Sequence, residues 1–341
     1  MNPVPATSAP AFSDSDRGVL ERFWHPVAFS AQVGPKPVAA RLLGENLVLY
    51  RTSSGLTVAR DLCLHRGARL SLGAVSQDRL VCGFHGFHYD GAGVCTKIPA
   101  HPGAAIPSRL RLATFPVRER YGLIWTCLGG EALAPLPEWP EIESGAYETF
   151  PMDPLDWNAS AGRHTENFND VAHLSWVHTG TFGHRETPEI ERYTVREEGH
   201  RLSIVIPHAN QHDRDITGVR PDVISPVRYE ETIDLPFASR LLVDYFEGRH
   251  LVFFDVAAPL GPRSCRIFVI LGRNFGLEEP RQAFIDYNLA VLREDEPFVE
   301  SQCPQDLPLD LQAEVHIPAD LLSIHYRKKL RALGLGPDYT A

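Results

Sequence analysis

Two textures of apolar and polar residues divide the 341-residue chain. From about Val38 to Gly130, apolar residues fall in short alternating runs at 36–43, 46–50, 56–61, 79–82 and 122–128, separated by glycine-rich turns. A period of two puts every second side chain on one face of a pleated strand, so each run predicts a β-strand. The stretch Ala134-Pro135-Leu136-Pro137-Glu138-Trp139-Pro140 follows, and its prolines fix φ and remove donors, which predicts a linker. Beyond Pro154 the pattern predicts a helical segment at 159–178, strands at 201–207, 229–235 and 240–245, and a helix at 280–300.

That last helix carries one residue out of place. Its apolar positions recur at Phe284/Ile285, Leu289, Val291/Leu292 and Phe298/Val299, and Asp295 falls on the same inward stripe. A buried carboxylate must be paired or bound to a metal. The partner is either a metal ion or an arginine from another element, such as Arg240. Glu294 and Glu296 point to other sides and are expected in solvent. Pro297 is expected to distort the helix.

Composition narrows the classes. The 43 acidic against 33 basic side chains give a formal net charge of −10, with no run of Lys or Arg to follow a phosphate backbone, so nucleic acid is not an expected partner. Residues 1–16 are rich in Pro, Ala and Ser and read as a loose tail with no signal-peptide pattern. The most apolar segment, 251–260, is interrupted by Asp255 and Pro259 and falls short of a membrane span. A cytoplasmic protein with no membrane partner is expected. Six cysteines do not make a disulfide scaffold at this length. Cys95, Cys127, Cys265 and Cys303 lack His or Cys neighbours at ligand spacing and read as buried free thiols.

The other two cysteines stand beside histidines. Cys63-Leu64-His65 and Cys82-Gly83-Phe84-His85 form a CxH and a CxxH at turns of the β-rich region. Two thiolates and two imidazoles suit tetrahedral zinc or an iron–sulfur cluster with two histidines on one iron, and spacing alone does not separate them. A second constellation is Glu166-Asn167-Phe168-Asn169-Asp170-Val171-Ala172-His173-Leu174-Ser175-Trp176-Val177-His178. On a regular helix Asp170 and His173 share a face, whereas His173 and His178 lie about 140° apart. For both histidines to reach one metal, the helix must break between them, a distortion often found at functional sites. Asp170 can accept from the second ring nitrogen of His173. Two such histidines need a carboxylate to complete a facial triad, and Asp295 is the candidate.

The run from Cys63 to Asp90, with Gly93, Cys95, Ile98, Pro99 and Gly122-Leu123-Ile124-Trp125, resembles the Rieske domain over roughly residues 40–130. Gly83 stands where that family often has proline, and Phe87 where it often has tryptophan. The run from Asn167 to His178 and the segment 294–302 resemble the catalytic motifs of Rieske non-haem iron oxygenases. The lengths and the run at 314–330 are similar to the α₃ group, which includes vanillate and dicamba demethylases and saxitoxin-pathway hydroxylases.

The resemblance implies an α+β protein: an all-β Rieske domain at 38–133, a linker at 134–154, and a helix-grip-like catalytic domain on an antiparallel sheet at 155–341, with 17–37 packing on the catalytic domain. It implies a [2Fe–2S] cluster on Cys63, His65, Cys82 and His85, and Fe(II) on His173, His178 and Asp295. Asp170 would be the electron-transfer bridge to His85 of a neighbouring copy in a homotrimer, and Asn167 a polar residue near the iron. The implied activity is that of a terminal oxygenase component, which takes electrons from a reductase or ferredoxin fed by NAD(P)H. With O₂ it hydroxylates or oxidatively dealkylates a small organic substrate. Alternatives are a cis-dihydroxylating dioxygenase, a Rieske electron carrier and a zinc-stabilised binding module. Pocket residues are expected from 202–254 and from the 280–300 helix, with Arg220, Arg228, Arg240 and Arg249 as candidate anchors for a substrate carboxylate.

Overall fold

The structure, a computed structural model, describes residues 11–214 and 219–336. Its helices are α1 (Asp14–Leu20), α2 (Pro140–Ser144), α3 (Ala161–Phe168), α4 (Leu174–Val177), α5 (Arg281–Ser301) and α6 (Leu321–Ala332). The chain divides into a unit at Leu20–Pro135 and a second unit formed by the residues up to Val19 and from Leu136 onward.

The first unit consists of three small antiparallel sheets. The strand Glu45–Thr52 buries Leu47, Val48, Leu49 and Tyr50 in succession, which places it inside the unit rather than on its surface. Val48, Tyr50, Ala59, Leu70, Leu80, Phe87 and Tyr89 form one core, and Cys63 and Cys82 are packed into it. The segment 17–37 divides, residues up to Val19 grouping with the second unit and Leu20 onward with the first. Its strand His25–Phe29, buried along its whole length, pairs with Leu123–Thr126 and so belongs to this first unit. Burial on both sides outweighs its position before the motif-bearing strands. Part of the segment expected to be a tail is ordered as well, because Asp14–Asp16 begin α1.

The second unit is an eight-stranded antiparallel sheet. Its main path runs Glu148–Pro151, Ser264–Arg273, His250–Gly261, Ala238–Asp244, Val219–Asp234, Arg201–Arg214 and Arg196–Glu198, and Leu155–Trp157 also pairs with Ser264–Arg273. The linker is shorter than 134–154, since α2 and the edge strand Glu148–Pro151 are already part of this unit. Directly opposed residues share a face. The register Leu241↔Phe253↔Leu271 therefore lines one face of the sheet with large apolar side chains. Helix α3 packs on the strand His250–Gly261 and on α5. Ser160 caps α3, its hydroxyl accepting from the N–H of Arg163 at 3.1 Å. Helix α5 buries Phe284, Asn288, Leu292, Asp295 and Val299, one residue per turn along a single stripe. Asp295 is inward as its phase predicts, and Asn288 is inward where the pattern predicts Leu289.

Candidate metal centres and substrate cavity

In the first unit, two loops are built alike. The carbonyl of Cys63 accepts from Gly67 N–H and its own N–H donates to Ala68 O; Cys82 makes the same pair of bonds with Gly86 and Phe87, all at 2.8–2.9 Å. Gly67 and Gly86 occupy the matching turn position with φ of +73° and +68°, a region costly for residues with a Cβ. Cys63 and Cys82 are buried while His65 and His85 face outward, with ring centroids 4.5 Å apart. The Tyr89 hydroxyl lies 3.3 Å from Cys63 Sγ. Burial pushes the Cys63 thiol pKa up, which a bound metal would reverse.

Among the described residues the single group of three or more side chains gathered as around one ion is His173, His178 and Asp295. Cys63, His65, Cys82 and His85 do not form such a group. A buried thiolate pair and a separate imidazole pair fit a two-iron cluster.

The helical segment at 159–178 is irregular in two places, a gap before His173 that phase does not require and a change of helix type at His178 that it does. Helix α3 ends at Phe168, and Asp170 Oδ1 accepts from Ala172 N–H at 2.8 Å in the turn that follows. Helix α4 spans four residues from its N-cap, His173, and gives way to a 3₁₀ turn at His178–Gly180. The result brings His173 Nε2 to 3.2 Å from His178 Nε2, with Asp295 Oδ1 3.3 and 3.4 Å from them.

The chemistry of these atoms decides what can lie between them. His178 Nδ1 faces Glu294 Oε2 at 2.9 Å and His173 Nδ1 faces Asp170 Oδ2 at 3.4 Å, an arrangement that turns both Nε2 atoms toward Asp295. Asp295 Oδ1 is buried with no hydrogen-bond partner. Three ligand atoms converge, and one proton shared among them serves only a pair. A cation serves all three, because donors about 2.0–2.2 Å from one ion at angles near 90–110° stand about 3–3.5 Å apart. Two histidines and one carboxylate suit non-haem Fe(II). Burial acts against the imidazolium of His173, yet Asp170 and Asp295 raise its pKa to about 10, which marks the site as one that attracts positive charge. Burial also acts against the Asp170 carboxylate, but His173 and the neighbouring N–H groups outweigh it and lower its pKa.

Glu294 and Arg240 depart from expectation. Glu294 is not solvated: it accepts from His178 and, at 2.8 Å, from Thr181 Oγ1. Gly180 makes room for it, since a Cβ there would lie 2.5 Å from Glu294 Oε1. One turn of α5 therefore supplies both the inner donor Asp295 and the outer carboxylate that orients His178. Arg240 is not the partner of Asp295, because it is paired with Glu141. Cys303 is exposed, while Cys95, Cys127 and Cys265 are buried as expected. Asn167 lies in the last turn of α3 with its carbonyl accepting Asp170 N–H at 3.1 Å, and it is not among the residues lining the cavity.

That cavity opens over the three donors, and its lining is mostly apolar with a few polar groups, as in small-molecule sites. Phe168, Phe182, Leu241, Phe253, Leu271 and Val291 are among its apolar walls, with Gln211, Tyr229, Tyr245 and Asn288 as polar groups. The region 202–254 and α5 thus contribute as expected, and Met152, Phe168, Phe182 and the strand Ser264–Arg273 add residues that pattern does not indicate. Arg228, Arg240 and Arg249 do not line it: Arg228 pairs with Glu230, Arg240 with Glu141, and Arg249 lies over Phe275. The Arg220 side chain lies outside the described residues.

A redox cluster in a β-unit and a two-histidine, one-carboxylate site over a cavity define an iron-dependent oxygenase. Residues 23–116 match the Rieske [2Fe-2S] domain, and 157–335 match the vanillate O-demethylase oxygenase C-terminal domain. The chain belongs to the Rieske non-haem iron oxygenases, enzymes whose cofactors are a [2Fe–2S] cluster and a mononuclear iron. It is 33% identical to methylxanthine N1-demethylase NdmA of Pseudomonas putida over 95% of this chain and 92% of that protein. It is 30% identical to methylxanthine N3-demethylase NdmB of the same organism, covering 94% and 91%. The solved structure of NdmA with caffeine superposes with a TM-score of 0.81 at 31% identity, covering 93% and 92%. A 109-residue stretch is 44% identical to the oxidoreductase NdmD of that organism, 18% of whose length it covers. No helix among the described residues is long and apolar enough to cross a membrane.

Proposed function

We propose that this chain is the terminal oxygenase of a demethylating system that removes a methyl group from nitrogen or oxygen of a small, neutral, planar organic molecule. Cys63, His65, Cys82 and His85 hold the [2Fe–2S] cluster, and His173, His178 and Asp295 hold Fe(II). The observation that carries this reading is the convergence of two histidine nitrogens and a carboxylate oxygen beneath an apolar cavity free of Lys and Arg among the described residues. Methylxanthines, on which NdmA and NdmB act, are neutral heterocycles and fit a cavity of this character better than an aromatic acid does. The electron donor is a separate reductase, and the protein works in the cytoplasm.

When bound, the cluster supplies single electrons and the iron supplies O₂ activation. The chain's own residues do the rest. The apolar walls exclude water and hold a flat ring with its methyl group toward the metal site. Glu294 fixes the His178 ring, and Asp170 fixes His173 while leaving its other edge toward solvent. His85, outward on its loop, meets Asp170 of a second copy, so a head-to-tail homotrimer completes the electron path, a closed cyclic assembly. Asn167 stands close to the iron in this reading. The balance is one methyl group, O₂, two electrons and two protons to a demethylated product, formaldehyde and water. The test is reconstitution with a reductase and NADH against caffeine, aryl methyl ethers and methoxylated aromatic acids, scoring O₂ uptake and formaldehyde. Formaldehyde in step with O₂ supports demethylation. A cis-diol would make the protein a dioxygenase, and absence of O₂ uptake from an iron-replete protein would make it an electron carrier.

A further inference from the structure

The polar groups of the cavity wall are neutral, and three of the four form one network. Tyr229 Oη donates to Gln211 Oε1 at 2.7 Å, and Gln211 Nε2 donates to Tyr245 Oη at 2.9 Å. The residues come from adjoining strands: Gln211 from Arg201–Arg214, Tyr229 from Val219–Asp234, and Tyr245 from the residue following Ala238–Asp244. All three are buried, and Gln211 is 4% exposed.

A primary carboxamide has two N–H groups and two lone pairs, and the two phenols take one of each. Exchanging the amide oxygen and nitrogen would swap the partners and leave the same remainder. One N–H and one lone pair therefore remain on a side chain that lines the cavity. A glutamine side chain has three rotors, and clamping it between two tyrosines removes much of the entropy that a ligand would otherwise have to overcome. Such a fixed donor favours a ligand that brings an acceptor. It disfavours one that buries the N–H without a partner, and this contrast is how polar groups in apolar pockets discriminate. With no Lys or Arg on the described walls, the matching acceptor is an uncharged one.

We propose that Gln211 is a specificity-determining residue that reads a ring carbonyl on the substrate, with Tyr229 and Tyr245 as the residues that position its amide. The assignment deepens the demethylase reading and rests on it.

The test uses the iron-loaded holoenzyme with its reductase and two flat N-methyl probes, 1-methyloxindole with a ring carbonyl and 1-methylindole without one. Variants are Gln211→Leu and Gln211→Glu. The glutamate keeps two acceptors for the phenols and removes the N–H, so it decides the question should the leucine variant fold poorly. Formaldehyde release gives kcat/KM, and anaerobic calorimetry gives Kd without turnover. Wild type should bind and demethylate 1-methyloxindole preferentially. Both variants should lose roughly tenfold or more on it, the worth of about one neutral hydrogen bond, while 1-methylindole changes less than about threefold. Equal losses on both probes, no loss on either, or a wild type that binds 1-methyloxindole no more tightly would overturn the assignment. Intact binding selectivity with no formaldehyde from any probe would instead sink the demethylase reading and leave Gln211 in place.

Discussion

Replacing Glu294 tests how the iron site is held, because this carboxylate touches no metal and acts only through His178 and Thr181. Its Oε2 accepts from His178 Nδ1 at 2.9 Å and Thr181 Oγ1 at 2.8 Å. Loss of such an outer carboxylate costs about 10–100-fold in metal affinity, or about 1.4–2.7 kcal/mol. Glu294→Leu removes both bonds and should fall near the upper end. Glu294→Gln keeps an acceptor without the charge and should lose roughly 5–10-fold, the difference between charge-assisted and neutral hydrogen bonds. Gly180→Ala offers an independent route, since its Cβ would lie 2.5 Å from Glu294 Oε1 and must displace the carboxylate. The assay is anaerobic competition for Fe(II) against a chromogenic chelator, with the visible absorbance of the cluster as an internal control. Unchanged Fe(II) affinity in Glu294→Leu, with the cluster intact, would refute the orienting role. A lower Tm at constant affinity would reduce Glu294 to a structural residue.

Asp170→Asn should keep both metals and lose turnover, read as the rates of O₂ uptake and formaldehyde release in the reconstituted system; near-wild-type activity would remove Asp170 from the electron path. Tyr89→Phe removes the hydroxyl 3.3 Å from Cys63 Sγ and should lower the reduction potential of the cluster by some tens of millivolts in a redox titration, since hydrogen bonds to ligand sulfur favour the reduced state. Burial lowers the pKa of His25 to about 4 against a hydrogen bond to Leu20 O. Its neutral form is preferred in the folded state, so the unfolded chain binds the extra proton between about pH 6.5 and 4. Stability is then full above about pH 6.5 and falls by about 3 kcal/mol as the pH drops through that window. His25→Gln, which can still donate to Leu20 O, should flatten this part of the profile in urea titrations; an identical pH slope would contradict the assignment.

Much of the site is legible in sequence because its motifs are local. The CxH and CxxH turns each close within six residues, and their glycines are readable as positive-φ positions. The need for an irregular turn between His173 and His178 follows from helical phase. Asp295 stands out because it interrupts an apolar stripe. The residues that escape share a different cause. Glu294 lies beside Asp295 in sequence, but its partner His178 is 116 positions away, so no local pattern distinguishes it from a surface glutamate. Asn288 occupies the inward stripe of α5, where its amide N–H bonds to Phe284 O at 2.7 Å, and a scan for apolar residues passes over it. Gln211 is inward because the register shifts between Ile206 and Ala209, which reverses the alternation set by Leu202, Ile204 and Ile206, so pattern and polarity both read it as solvent-facing. Local pattern places the strand His25–Phe29 in the wrong unit because its pairing partner lies about a hundred residues further on.

Everything above depends on two distinct iron centres in one chain, one of them held by His173, His178 and Asp295. Iron and acid-labile sulfide analysis, combined with electron paramagnetic resonance of the reduced protein, compares wild type with Asp295→Ala. Wild type should hold three irons and two sulfides per chain, and the variant two irons and two sulfides with the cluster signal unchanged. A colourless zinc protein, or a variant that retains all three irons, would contradict the two-centre assignment.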